Sequence, residues 1–148
     1  MILPRAEAEI AFKLKADLNG PGVTEEDVLA ATESVAACFE LVDSRVKDWK
    51  IKIQDTIADN ASCGTMAIGT DWVDPNSVDL LGCKAVVTKN GKPLSEGVGA
   101  ATLGSPLKAV AWLANTLGER GIPFMAGEII GEDPALPYQR PPLSKPEL

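Results

Sequence analysis

Between Ala6 and Leu18 the apolar side chains fall on the even positions, Ala6, Ala8, Ile10, Phe12, Leu14, Ala16 and Leu18, while Glu7, Glu9, Lys13, Lys15 and Asp17 occupy odd ones. A period of two puts the apolar groups on one face of an extended chain and the charges on the other, so the stretch demands a sheet with one covered face. Intrinsic propensity pulls the other way: Ala, Glu and Lys favour helix, and Ile10, Leu14 and Leu18 also share a four-residue spacing. The alternation predicts a strand, which ends at the breaker cluster Asn19-Gly20-Pro21-Gly22.

The rest of the chain reads as a mixture of elements. Thr24 followed by two glutamates and Asp27 forms an N-cap signature that predicts a helix through about Ala36. An apolar strand is expected over Ala37 to Val42, and the alternation of Trp49, Ile51 and Ile53 with Lys50, Lys52 and Gln54 predicts another extended piece. Asp55 to Ser62 reads as a polar loop with local structure. Two extended runs between Asp79 and Gly99 flank Lys89-Asn90-Gly91-Lys92, and Asn-Gly accepts the positive φ angles of a tight hairpin turn. Ser105-Pro106 makes an N-cap and first-turn pair, with Leu107, Val110, Ala111, Ala114 and Leu117 along one helical face. Ile122 to Ile130 reads as a last strand. From Gly131 to Leu148 there are five prolines, which cannot easily join a central sheet, so a core over residues 1–130 and a loose tail over 131–148 are expected. This irregular order favours an α+β fold over a doubly wound sheet.

Composition narrows the chemistry. A chain of 148 residues with 45% hydrophobic and 24% charged residues suits one globular core. Its 21 acidic against 14 basic residues give a net charge of -7, which disfavours nucleic acid and anionic membranes as partners. The sequence contains no histidine, which removes imidazole acid-base chemistry, histidine-activated nucleophiles and His-ligated metals. Cys38, Cys63 and Cys83 are odd in number and far apart, suggesting neither a disulfide framework nor a thiolate zinc site, and a reducing cytoplasmic setting is expected. The tryptophans Trp49, Trp72 and Trp112 read as core or half-buried residues.

Carboxylates are the remaining chemical resource. Glu7 and Glu9, two apart on a strand, project from the same face, where they either meet solvent beside Lys13 and Lys15 or share a hard cation. Two carboxylates about 4 Å apart repel by roughly 4 kcal/mol at an effective dielectric near 20, so a pair held that close needs a cation or a proton. Magnesium or manganese, both content with oxygen ligands and retained waters, would meet that need. Glu40 interrupts the apolar run Cys38-Phe39-Glu40-Leu41-Val42, which leaves either a water-facing edge position or an acid that requires a partner. Asp55, Asp59, Asn60 and Ser62 crowd one segment, as turn-makers or as groups that orient a polar substrate.

Three segments carry a resemblance: PRAEAEIAF at Pro4 to Phe12, FELVDSRVKDWKIKIQDTIADNASCG at Phe39 to Gly64, and GSPLKAVAWLANTLG at Gly104 to Gly118. They resemble the 2-oxopent-4-enoate (2-hydroxypenta-2,4-dienoate) hydratases of the fumarylacetoacetate hydrolase superfamily, over roughly Pro4 to Ile130. The resemblance implies a mixed β-roll with a few peripheral helices and a Mg2+ or Mn2+ ion held by Glu7, Glu9 and Glu40. It makes Asn60 and Ser62 candidates for lining the substrate pocket. The implied reaction is metal-dependent hydration of a small dienol or 2-oxo acid to 4-hydroxy-2-oxopentanoate, as in aromatic meta-cleavage degradation. In the family a helical segment carrying a catalytic lysine and aspartate precedes the ExE strand, and further strands follow the AGEII-like one. The chain therefore reads as an incomplete roll, as a homo-oligomer or awaiting a partner subunit. The related 2-oxo-3-hexenedioate decarboxylases and a non-catalytic subunit are the alternatives.

Overall fold

The computed structural model describes residues 1–132. Its first strand, β1 (Arg5–Leu14), confirms the alternation over helix propensity. The ladder stops four residues before the expected end because the chain turns to other partners: Leu14 N–H donates to the Glu128 carbonyl, and Lys15 N–H to that of Ala31. Leu18 meets Phe124 in an isolated bridge.

Helix α1 (Glu25–Ala31) opens as expected, with the Thr24 hydroxyl accepting the Asp27 N–H at 3.2 Å and the Asp27 carboxylate accepting the Thr24 N–H at 2.8 Å. It ends five residues earlier than the sequence pattern predicts, and β2 (Thr32–Val42) begins at once in place of a short strand from Ala37. The Thr32 hydroxyl closes the helix by donating to the Val28 carbonyl at 2.7 Å. Beyond it, pairing along the whole length of β1 wins over the extra helical turn. The sheet is completed by β3 (Cys63–Ile68) and, later in the chain, a final strand on the other side of β1.

The predicted extended piece around Trp49 to Ile53 is not a strand. A 3-10 turn spans Lys47–Trp49 and helix α2 covers Ile53–Ala58. Its alternating side chains find no covered face, since Ile53 is 73% exposed and Trp49 and Ile51 are only half-buried, and the local bond from Lys52 N–H to the Asp55 carboxylate starts a helix instead. The hairpin forms where expected as β4 (Lys84–Lys89) and β5 (Lys92–Val98), with positive φ at Asn90 and Gly91. Helix α3 (Pro106–Gly118) is capped by Ser105 and buries Val110, Ala111 and Ala114. Trp112 lies on the opposite side of this helix and is 60% exposed, against the expectation of a covered residue; Trp49 and Trp72 are half-buried.

Of the predicted strand from Ile122, only β6 (Ile129–Glu132) forms. Pro123 lacks a ladder donor and Gly127 adopts a φ of 90°, so the stretch before Ile129 turns and bonds locally. Strand β6 also carries the sheet two residues past the expected end of the core at residue 130. The rest of the expected tail lies outside the described residues.

The result is an α+β fold: an antiparallel sheet in the order β3-β2-β1-β6, a separate β4-β5 hairpin, and two helices on one sheet face. Phe12 stands opposite Val35 on one neighbour and Ile130 on the other. With Leu14 they pack against Val28, Ala31, Val110 and Ala114 of α1 and α3. Asn115 ties α3 to the loop before α1, accepting from Gly22 N–H and Val23 N–H and donating to the Val23 carbonyl. No helix of the described residues is long and apolar enough to cross a membrane. Because Phe12 and Leu14 commit the even face of β1 to the core, Glu7 and Glu9 are left to the other face.

Candidate metal centre

Register builds the centre. In the β1-β2 ladder Glu7 stands directly opposite Glu40, and Glu9 opposite Cys38, so the strand-internal acid of β2 joins the pair on β1 on a single face. One carboxylate oxygen from each of Glu7, Glu9 and Glu40 lies within 4.8 Å of the other two. Glu9 is buried, at 8% exposure, while Glu7 and Glu40 are partly covered. Like charges on directly opposed strand positions destabilise a sheet unless something offsets them. Three anionic oxygens converging on one point form a donor set that fits a hard divalent cation retaining waters, and suits a soft metal poorly.

The surroundings are thiols and a ring of backbone bonds. Burial, with the charges of Glu9 and Glu40 behind it, pushes the Cys38 thiol up to about 12, so Cys38 stays a neutral wall of the centre at physiological pH. Cys63 is raised as well, first by desolvation and then by the charge and hydrogen bond of Glu40, with Arg45 opposing. The Arg45 guanidinium donates to the Cys63 carbonyl at 2.9 Å and the Asp43 carbonyl at 3.3 Å, and pairs with Asp59 at 3.4 Å. Asp43, itself buried, accepts the backbone N–H groups of Ile2 and Leu3. The Trp49 indole donates to the Leu3 carbonyl, and Arg5 lies 4.0 Å over its ring. These contacts lash the start of β1 to the segment after β2, next to the triad.

Asn60 and Ser62 sit in a 3-10 turn that leads directly into β3. Asn60, Ala61 and Ser62 all have φ between 51° and 59°, a left-handed run that costs each side-chain-bearing residue roughly 1–2 kcal/mol and is held by its surroundings. Ser62 is buried with its hydroxyl donating to Asp59 at 3.1 Å, whereas Asn60 is exposed. The structure thus gathers the three glutamates at one point. It connects the Asn60–Ser62 turn to them through Cys63, the next residue. Sequence reasoning missed Arg45 and Asp43 as girders of this corner, whereas Asp59 acts as the turn-maker its segment suggested. Their signal was weak, because charged residues in an apparent loop read as solvated.

An antiparallel α+β fold carrying an all-carboxylate centre of the divalent-cation type is the class that fold and site define. The particular relationship is to the 2-hydroxydienoate hydratases. The chain is 65% identical over 130 residues to a 2-hydroxyhexa-2,4-dienoate hydratase of Comamonas testosteroni, covering 88% of this chain and 49% of that protein. It is 66% identical over 122 residues to a 2-hydroxypent-2,4-dienoate hydratase of Pseudomonas putida, covering 82% of this chain and 55% of the relative. The chain therefore spans about half the length of these curated relatives. Among solved structures, 4-oxalocrotonate decarboxylase from Pseudomonas putida G7, complexed with magnesium and adipate, superposes with a TM-score of 0.90 at 39% identity, covering 97% of this chain and 54% of that one. The same enzyme complexed with calcium and acetate gives a TM-score of 0.87. No protein-family model matches the chain.

Proposed function

We propose that the chain is the metal-holding part of a hydro-lyase that adds water to 2-hydroxypenta-2,4-dienoate, giving 4-hydroxy-2-oxopentanoate. The convergence of Glu7, Glu9 and Glu40 within 4.8 Å carries this reading, supported by the 65% identity to a dienoate hydratase. A Mg2+ or Mn2+ ion bound there would supply Lewis acidity and a template for the substrate's carboxylate and 2-oxygen. Glu7 and Glu40, opposite each other across the strand pair, and the buried Glu9 would hold it. We assign Asn60 to the polar end of the substrate, and Ser62, through its bond to Asp59, keeps that turn in its left-handed shape. Acid-base assistance at the carbon atoms belongs to the lysine and aspartate that the hydratase resemblance places on a preceding segment.

In this reading the sheet and the hairpin are parts of a mixed β-roll, and the protein is a cytoplasmic enzyme that associates with copies of itself or with a partner subunit. An apolar groove of about 700 Å³ between the sheet and the hairpin, bordered by Phe39, Val78 and Val86, supports association. The decarboxylase likeness favours a second reading, release of CO2 from 2-oxo-3-hexenedioate. Purified chain incubated with each substrate, with and without Mg2+ or Mn2+, separates them. Metal-dependent 4-hydroxy-2-oxopentanoate supports the hydratase, and its formation by the chain alone would move the acid-base role to residues present here. Metal-dependent CO2 release as the main event would replace the hydratase by the decarboxylase, and no turnover by a folded sample would leave a metal-binding subunit.

A further inference from the structure

We propose that Gly131 is a positioning residue of the centre: by presenting no side chain it leaves the space that the Glu9 carboxylate occupies, so β6 sets the aim of one ligand without supplying one. The inference rests on Glu9 serving as a cation ligand. Gly131 pairs with Ala11, two residues from Glu9, and a side chain there would stand on the same face as the triad. A Cβ built on Gly131 would lie within 3.0 Å of Glu9 Oε2, closer than real Cβ atoms come, and 2.8 Å from Met66 Cε. Met66 stands opposite Glu40 on the far side of β2, so the space above Gly131 is where the side chains bordering two of the three ligands meet.

Glycine inside a strand weakens it and often marks a close approach. The backbone does not need it here, because Gly131 is not among the residues with positive φ. Gly64 and Gly69 differ, since the nearest atoms to a Cβ at those positions are backbone carbonyl oxygens. At Gly131 both colliding atoms end flexible side chains, so an added methyl would push Glu9 aside and leave the strand in place. Ligand constellations tolerate displacements of only about 0.5 Å, so that push would be felt in affinity.

The test is calorimetric titration of Mn2+ into the full chain and into Gly131→Ala, Glu9→Gln and the double variant, with metal-free unfolding of each. Gly131→Ala should weaken Mn2+ binding about tenfold or more with little change in the metal-free unfolding midpoint. In the Glu9→Gln background it should cost less than a further twofold, because its effect passes through Glu9. Additive losses, or unchanged affinity in Gly131→Ala while Glu9→Gln binds weakly, would overturn the role of Gly131 alone. Unchanged affinity in Glu9→Gln would overturn the ligand assignment and this inference with it. Should Gly131→Ala fail to fold, folding restored in Glu9→Ala/Gly131→Ala would support the collision, and continued failure would refute it.

Discussion

Replacing Glu7 by glutamine should stabilise the metal-free protein while removing its response to magnesium. Three carboxylate oxygens within 4.8 Å of one another form three repelling pairs, and Glu7 belongs to two of them. At that separation each pair costs about 3.5 kcal/mol at an effective dielectric of 20, and about 0.9 kcal/mol in bulk water. Removing one charge without changing side-chain shape therefore relieves a gross repulsion of about 2–7 kcal/mol, of which counter-ions already screen the larger part. A net gain of about 1–2 kcal/mol is expected, raising the metal-free melting temperature by about 3–6 °C for a chain of this size. The parent should gain about 2.7 kcal/mol from Mg2+ at one hundred times its dissociation constant, and Glu7→Gln far less. Differential scanning calorimetry with EDTA and with Mg2+ reads both quantities. A variant that melts lower than the parent in EDTA and keeps the full Mg2+ shift would refute the reasoning, because the carboxylates would then be stabilising one another by some other means.

Two further predictions concern the scaffold. Asn115→Ala removes three hydrogen bonds to the Gly22-Val23 backbone and should cost about 1–3 kcal/mol in urea unfolding, whereas a loss below about 0.5 kcal/mol would mean that water replaces the clamp. Asp27 is held below the ordinary carboxylate range first by the Thr24 backbone N–H and then by its hydroxyl. A depressed folded-state value contributes stability above the unfolded value, near 3.8, that is lost as pH falls through the lower folded value. Stability of the parent should therefore drop more steeply below about pH 4 than that of Asp27→Asn, and parallel urea midpoints across that range would contradict the capping account.

How much was legible in the sequence varies with how far each signal reached along the chain. The β1 alternation, the Asn90-Gly91 turn and the Ser105-Pro106 helix start are decided by neighbours within a few residues, and each forms, β1 stopping four residues short where the chain turns to other partners. The end of α1 was misplaced because Thr32 to Ala36 can be helical until β1 offers them a ladder. Trp49, Ile51 and Ile53 mimic a strand whose partner never arrives. In the centre, the side of β1 on which Glu7 and Glu9 lie follows from their spacing alone. Resemblance pointed to Glu40 as their companion, and the register of β2 places it opposite Glu7.

Which residue types could do chemistry here follows from the amino acids alone: without histidine, carboxylates are the hard ligands they offer a metal, and periodicity assigns two of them to one face. Long-range packing is what set Cys38 opposite Glu9, turned Arg45 to the carbonyls of Asp43 and Cys63, and laid Gly131 beneath a carboxylate 122 positions earlier in the chain. Strand pairing is the reason. A local pattern sets the direction in which a side chain points, but the register between distant strands sets what it meets, and a shift of one residue would send the acids of one strand to the opposite face.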